Sequence, residues 1–570
     1  SRDHSHGRIW KVTYEGRPLV TPPQIAGASI PDLLNSLSVY EDRNRYRVKT
    51  ELAERKSADV IAGVRAWVKG LDKSLPDYER MLLEALWQHQ SHNDVEEVLL
   101  QRLLESSDFR VRAAATRVAS FWRDQLKNPL ASISKSINDE HPRVRLEAVR
   151  ACSFIISEDS LELALDAVKY DMDKWMAYTV EETVRTLSTQ LSKQRMMAMH
   201  LKSMATDSDP KMPKNDMDAM HDHMLATPEP VVFLNKERKI IRFQLDRLAD
   251  SQLLAIKPQP ENPNYAMVSM SLLSRESTPD KARQAALDSY MKLTGASLVK
   301  TVLDAMEFAE TASSGQLAKA RLAKLLASQP VVVLKQVEDE LVSSVDKDLG
   351  LTELSGLYAA LISIKNRDAV EKKINDNANK KIAFLKSVSL VKDARLRSEY
   401  RDAVVSALRQ KLEFRGKQLN EIKRTAIDTL ASIPSNQSDS FDLISRFVAS
   451  KSLKNSAVKA LLGIPAKFRS SAASQKTAME LLKQAEATKP KDRTTTAFLD
   501  SAELTSQLLV AFPATESKKL RTRLRTVAVR VVRIHTVEEE MRYDTPYFAV
   551  EAGRPVQVVL INEDLMPHNL

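Results

Sequence analysis

The chain is 570 residues long, several times the size of a single core, so it must be a set of domains or an array of repeats. Its 85 basic and 75 acidic residues leave a net charge of +10, short of a nucleic-acid footprint, and no run of about 18 apolar residues could span a membrane. Only twelve glycines occur, none of them between Leu71 and Thr294, and there is no G-x-G-x-x-G or Walker loop, which excludes the usual nucleotide cradles and favours helices joined by short polar turns.

Residues 1–22 read as extended. In Gly7-Arg8-Ile9-Trp10-Lys11-Val12-Thr13-Tyr14 alternate residues fall on opposite faces, and Gly16 and Pro22-Pro23 end the run. A lone strand is not stable, so its sheet is expected upstream of Ser1.

From 28 to 515 the apolar period becomes helical and predicts a HEAT-like α-solenoid. Asp108-Phe109-Arg110-Val111-Arg112 and His141-Pro142-Arg143-Val144-Arg145 each open an R-V-R-x-x-A helix, 33 residues apart. Alanines in this motif let helices approach closely, and each arginine is expected to reach an acidic group in the neighbouring repeat. Asp280 to Leu287, Arg424 to Leu430 and Ser456 to Leu461 are weaker copies. Loops are expected at 207–218, 257–264, 434–440 and 488–493. Trp87, His89 and His92, and likewise Phe121 and Trp122, read as packing between repeats.

Within this region Cys152 is the single cysteine, which excludes an internal disulfide or a CxxC site; its apolar context makes it a buried small hydrophobe. Ten of the 18 methionines lie between Met172 and Met224, together with His200, His221 and His223. Thioether and imidazole groups can hold copper. The simpler reading makes Met196, Met197, Met199 and His200 core filler on a helix. Lys518 to Arg525 is a dense basic run without interleaved aromatics, hence a solvated linker or helix end rather than an RNA-binding segment.

From Leu524 to Leu570 the pattern reads as β. Val527, Val529 and Val531 alternate, Val532 and Ile534 shift face as at a bulge, Tyr547 to Val550 forms a further strand, and Pro555 to Asn562 is a β-branched one. The chain ends at Met566-Pro567-His568-Asn569-Leu570, so an incomplete β-sandwich is expected over 524–570.

Val550 to Asn562 followed by Pro567-His568-Asn569 resembles the start of a cupredoxin, or blue-copper, domain. The resemblance implies that His568 is the first copper ligand, with Cys, His and axial Met ligands on a later loop; a turn histidine in an ordinary sandwich is the alternative. No cysteine follows His568, so the copper site is incomplete in this sequence. At the other end, Asp3 to Tyr14 with Arg17 to Val20 resembles the last strand and exit of the propeller in bacterial membrane-bound dehydrogenase-like proteins related to glucose/sorbosone dehydrogenases. His4 and His6 in that segment read as turn-fixing residues. Tyr78 to Trp87, the two R-V-R repeats and Asp173 to Thr179 resemble the HEAT segment of that family. What the resemblance implies is a fragment of a periplasmic or envelope redox protein. A propeller dehydrogenase of a sugar or alcohol would hand electrons to copper across the solenoid, whose surface would dock redox or other protein partners. No catalytic residue of the propeller is carried over. The alternative is a non-catalytic HEAT scaffold with no metal.

Overall fold

The computed structural model describes residues 7, 10–19, 21–206, 229–309, 315–372, 374, 377–409, 414–528, 530–536, 543–545, 547–550 and 556–561. Helices succeed one another from Ile30–Ser36 to Ala514–Val527, and two short strands follow. The chain divides into two compact units, Ser1–Met267 and Val268–Leu570.

In the first unit a short and a long helix alternate. Glu97–Leu104, Pro129–Ile137 and Glu158–Leu165 are each followed by a second helix: Phe109–Phe121, Pro142–Cys152 and Lys174–Thr206. These second helices lie side by side in chain order. Local chemistry sets their starts. The Asp108 carboxylate accepts from the Arg110 amide, the His141 ring from Arg143 and the Asp173 carboxylate from Met176, each satisfying an otherwise orphaned N–H. Pro129 and Pro142 occupy first-turn positions, where their missing N–H costs nothing. The core forms where apolar stripes meet: Leu100, Leu103, Val111, Ala115, Val118 and Trp122 in one layer, and Ile133, Ile137, Val149, Cys152, Leu161 and Val180 in the next. Each large aliphatic buried there contributes about 1.5–3 kcal/mol, whereas neither helix of a pair could bury its stripe alone.

In the second unit Gly315–Ala327, Leu351–Ser363, Ala378–Leu390, Gly416–Ser432, Lys454–Gly463 and Thr496–Leu508 pack in succession. Gly356 marks a close crossing between Gly315–Ala327 and Leu351–Ser363. A Cβ built there would lie 3.0 Å from the Ala323 Cα and 3.1 Å from its Cβ, so glycine lets the two helices touch.

Several expectations at the ends and surface need correction. Residues 10–15 form no strand; Trp10, Val12 and Tyr14 stand 80%, 95% and 71% exposed, because no partner strand accepts the backbone bonds. Leu524–Val527 complete a helix, Ala514–Val527, instead of opening a β domain. Leu520, Leu524 and Val527 are all buried, and this helical stripe overrides the β preference of valine. The basic run from Lys518 to Arg525 lies in the later part of that helix and reaches its last turn, so of the two readings, linker or helix end, the helix end holds. No cupredoxin-like sandwich is present among the described residues. Arg530–His535 (β1) and Val556–Ile561 (β2) form one two-stranded parallel ribbon, with Arg530 opposite Val556 and His535 opposite Ile561. That register is unbroken, so the expected bulge at Val532 is absent, and 547–550 is not a strand. Met196 and Met197 are on a helix but 48% and 65% exposed, and Phe121 is 55% exposed, so these three are not packing residues; Trp122, at 2%, is.

Candidate functional site

A recurring arginine organises the turn inside several repeats. Arg112 donates from Nη1 to the carbonyls of Ser106 and Ser107 (2.8 and 3.3 Å), six and five residues back. Arg145 does the same to Asp139 and Glu140 (2.8 and 2.9 Å), Arg45 to Val39 and Tyr40 (2.8 and 2.6 Å), and Arg397 to Val391 and Lys392 (2.8 and 3.2 Å). These carbonyls end the preceding helix or form the turn after it, where no amide can reach them. Arg283, 1% exposed, gathers the carbonyls of Leu273, Arg275, Glu276 and Thr278 in a looser version. Arg45 and Arg397 escaped the sequence reading. Their signal was present as Arg43-Asn44-Arg45 and Arg395-Leu396-Arg397, an R-x-R just after a capping position, but the intervening Asn and Leu hid it. Arg424, offered as a weak copy, sits in mid-helix on Glu421 and makes no such clamp.

Arg112 also bridges repeats, as expected. Its Nε and Nη2 form a bidentate pair with Asp139 (2.7 and 2.9 Å), both side chains being 11% exposed. Burial would push the Asp139 carboxyl up. Hydrogen bonds from Arg112 and from the His141 amide outweigh it and hold the carboxyl below the ordinary carboxylate range. Arg145 differs: among the described residues it reaches no acidic group in the next repeat, and its guanidinium lies 4.3 Å from the Tyr170 ring centre.

Cation–carboxylate contacts join neighbouring helices here, Asp42–Ala53 to Tyr78–Ser91 and Phe109–Phe121 to Pro142–Cys152. Lys49 meets the buried Glu84 at 2.7 Å, and Arg117 and Arg143 converge on Glu147, itself only 2% exposed. Around Glu147 a stripe of side chains on one helix is repeated on the next, where Arg150 is half-buried and the last member, Phe154, lies just past the helix end. Arg110, Arg117 and Phe121 on the first correspond, 33 residues on, to Arg143, Arg150 and Phe154. Arg110, Arg117 and Arg143 are 78%, 49% and 52% exposed, and Phe154 is 43% exposed. The guanidiniums of Arg150 and Arg123 lie 5.0 and 5.5 Å from the Phe154 ring centre, and Arg150 Nη1 has no hydrogen-bond partner. Nothing here pairs a nucleophile with a base; the arrangement is suited to binding.

The other sequence candidates separate widely. His568, the expected copper ligand, lies outside the described residues, as do Asp3, His4, His6, His221 and His223, and nothing is described of the His200 side chain. Cys152 is buried, and burial pushes its thiol pKa up to about 12, so no thiolate forms near neutral pH. His89 is buried with its Nδ1 2.8 Å from Asp94 in the turn that follows its own helix, and His92 reaches Ser57 Oγ on the preceding helix at 3.1 Å, so both are structural contacts. His89, Asp94 and Glu96 bring ligand atoms within 4.8 Å of one another, the spacing of a metal site. Arg65, however, already lies 3.4 Å from Asp94 and 3.7 Å from Glu96, where its guanidinium supplies the countercharge. Among the described residues, no helix is long and apolar enough to cross a membrane.

Comparison with known proteins bears on the fold. The family of HEAT repeats matches residues 96–185, the segment carrying the Arg112 and Arg145 clamps. No curated protein matches. Among solved structures the chain is similar to Kap121p bound to RanGTP at 14% identity and a TM-score of 0.32, covering 84% of this chain and 56% of that one. It is also similar to the S. pombe condensin Cnd3-Cnd2 subcomplex at 13% identity and a TM-score of 0.29, covering 87% of this chain and 77% of that one. The chain thus spans little more than half the length of the first of these. The protein contains a HEAT-repeat helical solenoid.

Proposed function

We propose that this chain is a non-catalytic scaffold whose repeated second helices dock a partner protein. The observation that carries this reading is the paired row over 109–121 and 142–154, in which Arg110, Arg117, Phe121, Arg143 and Phe154 are exposed and Arg150 is half-buried, and which core packing does not require. A photo-crosslinking residue in place of Phe121, on the docking row, should capture a discrete protein adduct in the native cells. One in place of Val98, 79% exposed on a first helix, should not. Equal adducts from both positions, or none from either, would refute the proposal.

A second reading sets the scaffold between a propeller dehydrogenase and a copper electron-transfer domain in the bacterial envelope. What favours it is the strand Val556–Ile561 falling shortly before His568, where the cupredoxin resemblance calls for one. Copper analysis and the thiolate-to-copper absorption of the purified gene product test it; a colourless, copper-free protein after incubation with the ion rejects it.

A further inference from the structure

We infer that the two Arg-Arg-Phe rows receive an acidic, extended segment of the partner, a statement that rests on the scaffold reading and adds the chemistry of what is bound. Three features point to negative charge. The Arg110 contact with Asp108 is exposed at the arginine, and such pairs are worth about 0–1 kcal/mol, so an incoming carboxylate can exchange for it. Arg117 and Arg143 share the single carboxylate of Glu147, leaving one positive charge over. Arg150 has no carboxylate within ion-pair reach among the described residues, and its Nη1 is shielded from water without a partner. Such a buried N–H favours any oxygen ligand that can reach it.

Spacing selects an extended peptide. Neighbouring packed helices lie about 8–10 Å apart, and a chain extended as polyproline II advances about 3.1 Å per residue with three residues per turn, so every third side chain returns to the same face. A segment crossing from one row to the next therefore places every third side chain over an arginine. Phe121, 55% exposed, would pack an apolar residue at its edge. Nucleic acid fits less well. Glu147 sits between the rows, and the Phe154 ring is already occupied by two guanidiniums, which leaves little of it for base stacking.

Fluorescence anisotropy at low salt tests this on the full chain with three labelled probes: a peptide carrying glutamate at every third position, its glutamine counterpart, and an oligouridylate of equal length. The glutamate peptide should bind, the glutamine one should not, and Arg110→Glu/Arg150→Glu should weaken binding about tenfold or more. Lys518→Glu, in the second unit, should leave it unchanged. If the double variant loses its fold, a photo-crosslinker at Phe121 in the otherwise native chain must still label the glutamate peptide. No binding of that peptide, undiminished binding by a folded double variant, or tighter binding of the oligouridylate overturns the inference. Should a cellular adduct at Phe121 survive that result, only the acidic chemistry is wrong; should it fail too, the scaffold reading falls with it.

Discussion

Replacing Arg112 with alanine removes three things together: the clamp on the Ser106 and Ser107 carbonyls, the bidentate bridge to Asp139, and the countercharge for a carboxylate 11% exposed. Breaking a buried ion pair by deleting one partner costs about 3–5 kcal/mol. Here the Asp139 carboxylate keeps the His141 amide at 2.8 Å and some access to water, so a loss of about 2–3 kcal/mol is expected. Because repeat arrays do not unfold in one step, hydrogen exchange of Phe109–Phe121 and Pro142–Cys152 is the suitable measure. At about 1.4 kcal/mol per factor of ten, the protected amides should exchange roughly 30–150 times faster. Asp139→Asn and the double variant complete a cycle whose coupling should be at least about 1.5 kcal/mol. The sign with pH follows from the depressed Asp139 carboxyl. Its contribution is present above the unfolded value and lost as pH falls through the lower folded one, so Arg112→Ala should lose that part of the acid dependence. A coupling under about 0.5 kcal/mol would mean that the bridge does not join the repeats energetically.

Cys152 should resist thiol reagents in the native chain and react only at the rate at which the layer around Ile133 and Leu161 opens; prompt labelling at neutral pH would contradict its burial. Gly356→Ala gains about 1 kcal/mol in helix propensity but forces a methyl against Ala323, which costs about 1–3 kcal/mol, so a lower Tm by up to a few degrees is expected and a raised one would show that the crossing can yield. Asp428 reaches solvent, yet the helices packed beside it push its pKa up to about 6, mainly by desolvation. Its ionised form is therefore disfavoured in the folded state: stability falls as pH rises from about 4 to about 6, and Asp428→Asn should raise the Tm at neutral pH and have no effect near pH 4. An unchanged melting curve at both pH values would exclude that burial effect.

Periodicity was enough to make most of this chain helical and to mark the repeats at Arg112 and Arg145, because a 3.6-residue stripe and a capping Asp or Pro act within one helix and need no distant partner. The same local logic misled at the ends. Val527 looks like strand and is helix, and the alternation around Trp10 and Val12 finds no sheet, since a strand exists only if another backbone pairs with it. The arginine clamp could be read in part, as R-x-R after a cap, but its purpose could not. That Arg112 bridges to Asp139 while Arg145 lies on Tyr170 depends on which residue the neighbouring repeat brings up, a matter of packing across 27 and 25 positions. Tertiary structure also decided exposure. Phe121 and Trp122 are adjacent in sequence, yet one stands in solvent on the arginine face and the other fills the core, because successive residues on a helix point about 100° apart and only the stacking of repeats selects the buried direction.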